Sequence, residues 1–191
     1  SHNSSEVVDL ELSQNLIQNY FKKNKSNVVL LPGFISSNAS GETTTLGRGG
    51  SDYSAALIAN ATESEILEIW TDVSGMFTAH PKIVSQAKPI EKLSFYEAME
   101  LSHFGAKVIF APTLQPLIEK NIPVVIKNTF APKDSGTLID NTPYQENSEI
   151  VKGISHIENV ALINMEGSGM IGITGFSKRF FEALSDENIN V

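Results

Sequence analysis

Thr43-Thr44-Thr45-Leu46-Gly47-Arg48-Gly49-Gly50-Ser51-Asp52 is the stretch around which the rest of the chain arranges itself. It follows the apolar run Asn27 to Ile35, in which Val28-Val29-Leu30-Leu31 is closed by Pro32 and Gly33, and that run suits a strand buried on both faces of a parallel sheet. It leads into Ser51 to Thr62, where Ala55, Ala56, Leu57, Ile58 and Ala59 are strong helix formers and a Ser-Asp start can cap exposed N–H groups. A glycine turn in that position lets backbone approach a ligand closely and offers it the unpaired N–H groups and partial positive charge of a helix start. Arg48 can grip a carboxylate or phosphate in bidentate fashion there, and Asp52 can orient lysines or act on a reacting proton. The same residues also suit a flexible turn before a capped helix, with Arg48 solvated and Asp52 complementing the helix dipole. The turn is not a Walker A loop, because Gly41 and Gly47 stand too far apart and Gly49 follows the basic residue.

Working outward, Leu12, Leu16 and Tyr20 recur at helical spacing beside Ile17 and Phe21, which predicts an amphipathic helix within Val7 to Lys23. The loop Ser36 to Gly50 is rich in Ser, Thr and Gly. Ile66 to Thr71 reads as a strand, Pro89 to Phe104 and Thr113 to Asn121 as helices, and Ile122 to Lys127 as a further strand. Alternating strands and helices imply an α/β layered sheet with ligands at the carboxyl ends of its strands. Between Ala131 and Glu149 the apolar residues thin out around Pro132, Gly136 and Pro143, as in a linker. Beyond it a strand is expected at Val160 to Met165, a helix at Thr174 to Leu184 and the opening of another strand at Ile189 to Val191, so the chain is expected to end inside a domain.

Bulk composition narrows the function. The 191 residues, 41% of them hydrophobic, can bury one sizeable core or one core plus part of another. No apolar stretch approaches the about 20 residues that cross a bilayer, and no basic-then-apolar start is present, so a cytoplasmic protein with no membrane partner is expected. With no cysteine there is no disulfide framework and no thiolate metal site. A net charge of -8 without basic runs argues against nucleic acid but leaves room for a small anion in one positive pocket. His2, His80, His103 and His156 show no metal-ligand spacing, so no metal site is expected.

Two loops and a turn complete the candidates. Trp70 to Lys82 leaves a strand end in a polar loop containing Gly75 and Pro81, where Asp72 can accept from ribose or adenine and Lys82 can neutralise phosphate; a plain surface loop is the alternative. In Phe104-Gly105-Ala106-Lys107-Val108, Gly105 suits a helix end and Lys107 a dipole partner. Gly167-Ser168-Gly169-Met170-Ile171-Gly172 has the dinucleotide-fingerprint spacing, a weak signal alone.

These segments together resemble the aspartokinases of the amino acid kinase family. The motifs are Thr43 to Ser54 (TTTLGRGGSDYS), Glu68 to Val73 (EIWTDV), Phe104 to Val108 (FGAKV), Ile126 to Thr129 (IKNT) and Gly136 to Ile139 (GTLI), in the family's order and at its spacing. The tail from Val151 resembles the first ACT domain of those enzymes, especially the ones fused to homoserine dehydrogenase, and makes the GxGxxG a strand-to-helix loop. The resemblance implies a three-layer α/β sandwich with a mostly parallel sheet, carbamate kinase-like, over 1–140, a linker over 141–152, and the start of an α+β ACT domain over 153–191.

It also implies a phosphotransferase that moves the γ-phosphoryl group of ATP, as its Mg2+ complex, to the side-chain carboxylate of L-aspartate, with no tightly bound cofactor. Carried over by motif, Arg48, Gly49, Gly50 and Ser51 hold aspartate, Asp52 organises catalytic lysines, and Thr71, Asp72, Phe77, Lys82, Lys107 and Val108 contact ATP. A homo-oligomer is implied, with an amino-acid effector at the ACT portion, threonine first and lysine second. Departures are His80-Pro81-Lys82 for the family's common Asp-Pro-Arg, Phe77 for a frequent tyrosine, and Phe110-Ala111 for the usual His-Pro. The family's amino-terminal Lys-x-Gly-Gly segment does not occur here, so the chain is expected to be a fragment with little kinase activity alone. The alternative from another class is a non-catalytic amino-acid-sensing module with a degenerate kinase portion.

Overall fold

A computed structural model describes residues 7–103, 108–141, 151–166 and 174–189. The chain divides into two units, Ser1–Ile157 and Glu158–Val191. Helix α1 (Leu10–Lys23) opens the first unit. Asp9 caps it by accepting from Leu12 N–H at 2.9 Å, and Glu11 at its start and Lys22 and Lys23 at its end complement the dipole. It packs along α2 (Gly50–Thr62), with Ser13 and Ile17 facing Tyr53 and Leu57 across a shallow cleft. The stripe expected to be buried, Leu12, Leu16 and Tyr20, is exposed.

Between these helices the structure departs from the strand expected at Asn27 to Ile35. Val28 and Leu30 are 84% and 95% exposed and in no ladder among the described residues. The strand here is β1 (Ile35–Ser37), which pairs antiparallel with β2 (Thr43–Thr45) in a two-stranded ribbon. An apolar run specifies a strand only where a neighbour supplies the ladder, and Asn38 closes the ribbon instead, its backbone N–H bonding Glu42 O at 3.0 Å.

The main sheet has the order β3-β5-β6-β4, built from β3 (Leu67–Thr71), β4 (Lys92–Ser94), β5 (Val124–Asn128) and β6 (Thr137–Asp140). β3 runs parallel to β5 and β4 parallel to β6, while β5 and β6 are antiparallel. The fold is thus α/β with a mostly parallel sheet. The stretch expected to be wholly helical from Pro89 begins with β4, and helix α3 (Phe95–His103) follows. Ser94 and Glu97 form the reciprocal capping box that sets that boundary: Ser94 N–H reaches Glu97 Oε2 at 2.8 Å and Glu97 N–H reaches Ser94 Oγ at 3.2 Å. A 3-10 turn (Ala111–Leu114) and helix α4 (Gln115–Lys120) precede β5. Strand β6, inside the stretch read as linker-like, was not expected.

Val124, Ile126 and Ile139 from the sheet meet Leu93, Ala98, Leu114, Leu117, Ala56 and Ala59 in one buried cluster. Small residues at positions 56 and 59 let α2 lie close to its neighbours. In the second unit, helix α5 (Phe176–Asp186) follows Gly175, whose φ of 78° suits a residue without a side chain. The strand expected at Val160 to Met165 is not formed; Leu162 is 96% exposed and no partner strand lies beside it among the described residues. The GxGxxG segment, Lys107 and residues 190–191 lie outside the described residues.

Candidate active site

The ribbon β1–β2 delivers the glycine turn to the start of α2. Leu46 N–H donates to Phe34 O at 2.9 Å, and Gly50 N–H donates to Gly47 O at 3.1 Å across a turn in which Gly47 and Gly49 have φ of 70° and 67°. Ser54 Oγ locks the turn to the ribbon by donating to Gly50 O at 2.8 Å and accepting from Phe34 N–H at 3.0 Å. Gly49 is the helix cap, where a side-chain cap from the Ser-Asp pair was expected. Ser51 and Asp52 already lie inside the first turn, so neither precedes the helix as a cap must. The amino terminus of α2 therefore keeps N–H groups without a side-chain acceptor, the arrangement that suits an anion.

Gly49 is required for a second reason. A Cβ there would stand 2.4 Å from Phe110 Cβ, so the Phe110 side chain forms a wall of the turn. Nothing in the spacing of the sequence points to Phe110, but its place two residues after Val108 brings the two candidate regions into contact. Arg48 is exposed and forms no ion pair among the described residues. Asp52 is half-buried, without a hydrogen-bond partner among the described residues, and burial pushes its carboxyl above the usual carboxylate range.

The second region begins where β3 ends. Thr71 O accepts from Thr129 N–H at 2.8 Å, and Thr71 Oγ1 donates to Asp72 Oδ1 at 3.2 Å. Lys127 Nζ, on the neighbouring strand, sits 5.0 Å from the Trp70 ring centroid. Ser74 Oγ accepts from Asn128 Nδ2 at 2.9 Å and donates to Asp134 Oδ2 at 2.5 Å. Gly75, at φ 104°, lies against Thr137; Met76 N–H then donates to Thr137 Oγ1 at 2.8 Å, and that hydroxyl donates to Ile90 O at 2.6 Å. Phe77 is bridged to Pro89. Lys82 is exposed and unpaired among the described residues, with its backbone N–H on His80 Nδ1 at 3.2 Å. Val108 packs on the core. Asn128 and Thr137 belong to IKNT and GTLI, and the structure gives those segments a physical task, which is to latch the loop after β3. A cavity of about 300 Å3 beside the latch is lined by Ser74, Pro89, Asp134, Ser135 and Gly136.

A mostly parallel α/β sheet, an anion-suited glycine turn at a helix start and a polar loop at a strand's carboxyl end together suit a small anionic ligand. The chain belongs to the amino acid kinase family, whose model matches residues 3–128, and an ACT domain model matches residues 163–191. It is similar in particular to aspartokinases. It is 47% identical over 167 residues to the bifunctional aspartokinase/homoserine dehydrogenase of Haemophilus influenzae, covering 87% of this chain and 20% of that protein. It is 41% identical over 164 residues to lysine-sensitive aspartokinase 3 of Escherichia coli, covering 86% of this chain and 36% of that protein. Its structure matches that of E. coli aspartokinase III in complex with aspartate and ADP with a TM-score of 0.70 at 36% identity, over 95% of this chain and 40% of that one. The chain thus spans well under half the length of these relatives. Among the described residues no helix is long and apolar enough to cross a membrane.

Proposed function

We propose that this chain is part of an aspartate kinase and carries the aspartate-recognition turn together with much of the ATP site. The observation that carries the proposal is the unpaired Arg48 beside the open amino terminus of α2, in a chain so similar to aspartokinases. Arg48 and the N–H groups of Gly49 and Ser51, in the turn that Gly50 shapes, would hold the carboxylates of L-aspartate, and Asp52 would organise the lysines that meet the phosphates. Thr71, Asp72, Phe77, Lys82, Lys107 and Val108 would line the ATP site, with magnesium arriving as part of the ATP complex. A side-chain carboxylate oxygen attacks the γ-phosphorus, the bond to the β-phosphate oxygen breaks, and ADP and 4-phospho-L-aspartate form. Catalysis of this kind rests on positioning and on neutralising charge around the moving phosphoryl group. The ACT portion would bind an amino-acid effector, threonine first and lysine second, in a homo-oligomeric parent.

The test is aspartate-dependent ADP release by the full-length parent and by its Arg48→Ala variant. Loss of a bidentate carboxylate contact should lower kcat/KM for aspartate by about 100-fold or more. A parent that binds an amino acid but releases no ADP would instead be a sensing module.

A further inference from the structure

The chain leaves its first unit through residues 151–157, and these lie against the loop that carries Phe77, His80 and Lys82. Lys152 Nζ is 2.9 Å from Glu97 Oε1 and 3.0 Å from Oε2, on the carboxylate that caps α3. Gly153 lies flat on the core, where a Cβ would come 3.1 Å from Leu101 Cδ2 and 3.4 Å from Ile90 Cδ1. Ile154 N–H donates to Thr78 O at 2.8 Å. The His156 ring meets the His80 ring edge to face, with centroids 5.6 Å apart.

Thr78 is the junction. Its N–H donates to Lys88 O at 2.8 Å and its Oγ1 accepts from Lys88 N–H at 3.1 Å, which closes the loop at its base. Its carbonyl is taken by Ile154, so the exit segment forms a third rail beside the paired base. Residues 79–87 beyond it are held by local bonds, such as Ile83 and Val84 N–H to His80 O and Ala87 N–H to Val84 O. Lys82 is therefore aimed by a stretch whose base is fixed on one side by Thr137 and on the other by the exit segment.

We propose, on the basis of the aspartate-kinase function above, that residues 151–157 are a positioning clamp for the ATP loop, in which Lys152 and Ile154 set nucleotide affinity without touching the nucleotide. A ligand pays for any fraction of time its loop spends out of place, because apparent affinity falls by the fraction of molecules in the competent state.

Two variants with conservative partners test this in the full-length parent. Ile154→Pro removes the N–H that Thr78 O accepts, and Ile154→Val keeps it; Lys152→Met removes the cation, and Lys152→Arg keeps it. A loop in place about a tenth of the time raises KM for ATP about tenfold. That rise should occur in I154P and K152M with KM for aspartate and kcat unchanged, while I154V and K152R stay near the parent value. An unchanged KM for ATP in folded K152M, or an equal loss for both substrates, overturns the clamp. ATP titration into this chain, read by the fluorescence of its single tryptophan, Trp70, separates the two ideas. If the parent turns over no aspartate yet K152M weakens the titration, the kinase reading fails and the clamp stands. If K152M titrates like the unaltered chain, the clamp fails whatever the reaction.

Discussion

Replacing Thr137 by valine should be among the most damaging single changes of nearly constant shape in this chain. The side chain is fully buried, as is Met76, and Ile90 is 8% exposed. The Thr137 hydroxyl accepts from Met76 N–H at 2.8 Å and donates to Ile90 O at 2.6 Å, and a methyl group can do neither. Both backbone groups are then stranded away from water. A buried group left unsatisfied costs about 1–3 kcal/mol, so the pair should cost about 2–5 kcal/mol. In a chain of this size each kcal/mol moves the midpoint by about 2–4 °C, which places the T137V transition about 4–20 °C below the unaltered one. Thr137→Ser keeps both bonds and loses one buried methyl, worth about 1 kcal/mol. Circular dichroism melts of the three proteins decide the matter, with ATP titration of Trp70 fluorescence as a second readout, because the same bond places Phe77. A T137V midpoint within about 2 °C of the unaltered chain, or a serine variant less stable than the valine one, would refute the latch.

Three further outcomes follow from the same structure. Gly49→Ala puts a Cβ 2.4 Å from Phe110 Cβ at a φ of 67°, so melting temperature and aspartate turnover in the parent should both fall; adding Phe110→Gly, which removes that Cβ, should restore part of the stability, and a double variant no better than G49A would contradict the clash. Burial raises the Asp52 carboxyl above its ordinary 3.8. The stability linked to this group is therefore complete below the unfolded value and lost as pH rises through the folded one. Asp52→Asn should thus melt above the unaltered chain at pH 7 and lose that advantage toward pH 4, while kcat of the parent drops; a lower melt at pH 7 would show that the charge is favourably held. Lys82→Arg exchanges a point charge for a bidentate guanidinium, so KM for ATP in the parent should fall, and an unchanged value would place Lys82 away from the phosphates.

How much of this was legible depends on whether the deciding contact was local. Helices α1 and α2 and strand β3 show in the sequence because helix formers and short apolar runs specify them from within, although the spacing in α1 named a face that is exposed. The start of α3 was equally readable, since Ser94 and Glu97 stand at capping-box spacing, although an unbroken helix from Pro89 was the simpler expectation. Val28 to Leu31 misled for the opposite reason, because an apolar run states a wish for burial without naming the partner that grants it. Strand β6 was hidden, as four residues that alternate Thr137, Leu138, Ile139 and Asp140 carry little signal amid Pro and Gly. At the candidate site the glycine turn was visible, since its constraints are steric and lie within a few residues. The loop after β3 was visible as well, but its latch to Thr137 was not, because that bond joins positions 61 apart. Resemblance to a family supplied IKNT and GTLI as marks, and the structure supplied the reason for them.

The contact of Gly49 with Phe110 bears hardest on the chemistry. It joins the turn assigned to aspartate to the region assigned to ATP, and the resemblance places a histidine where this chain has Phe110. A phenyl ring excludes water from the junction and strengthens every charge interaction beside it, but it offers no hydrogen bond to a phosphate oxygen. In the proposed reaction, compensation for phosphoryl charge would then fall to other groups of the parent. The amino terminus of α2, Arg48 and Lys82 would be donors for it, and neither Arg48 nor Lys82 is tied up in an ion pair among the described residues. Phe110→His should therefore add a donor to the junction at little steric cost and raise kcat/KM for ATP in the parent. If it lowers that ratio while the protein stays folded, the dry wall matters more than the missing donor.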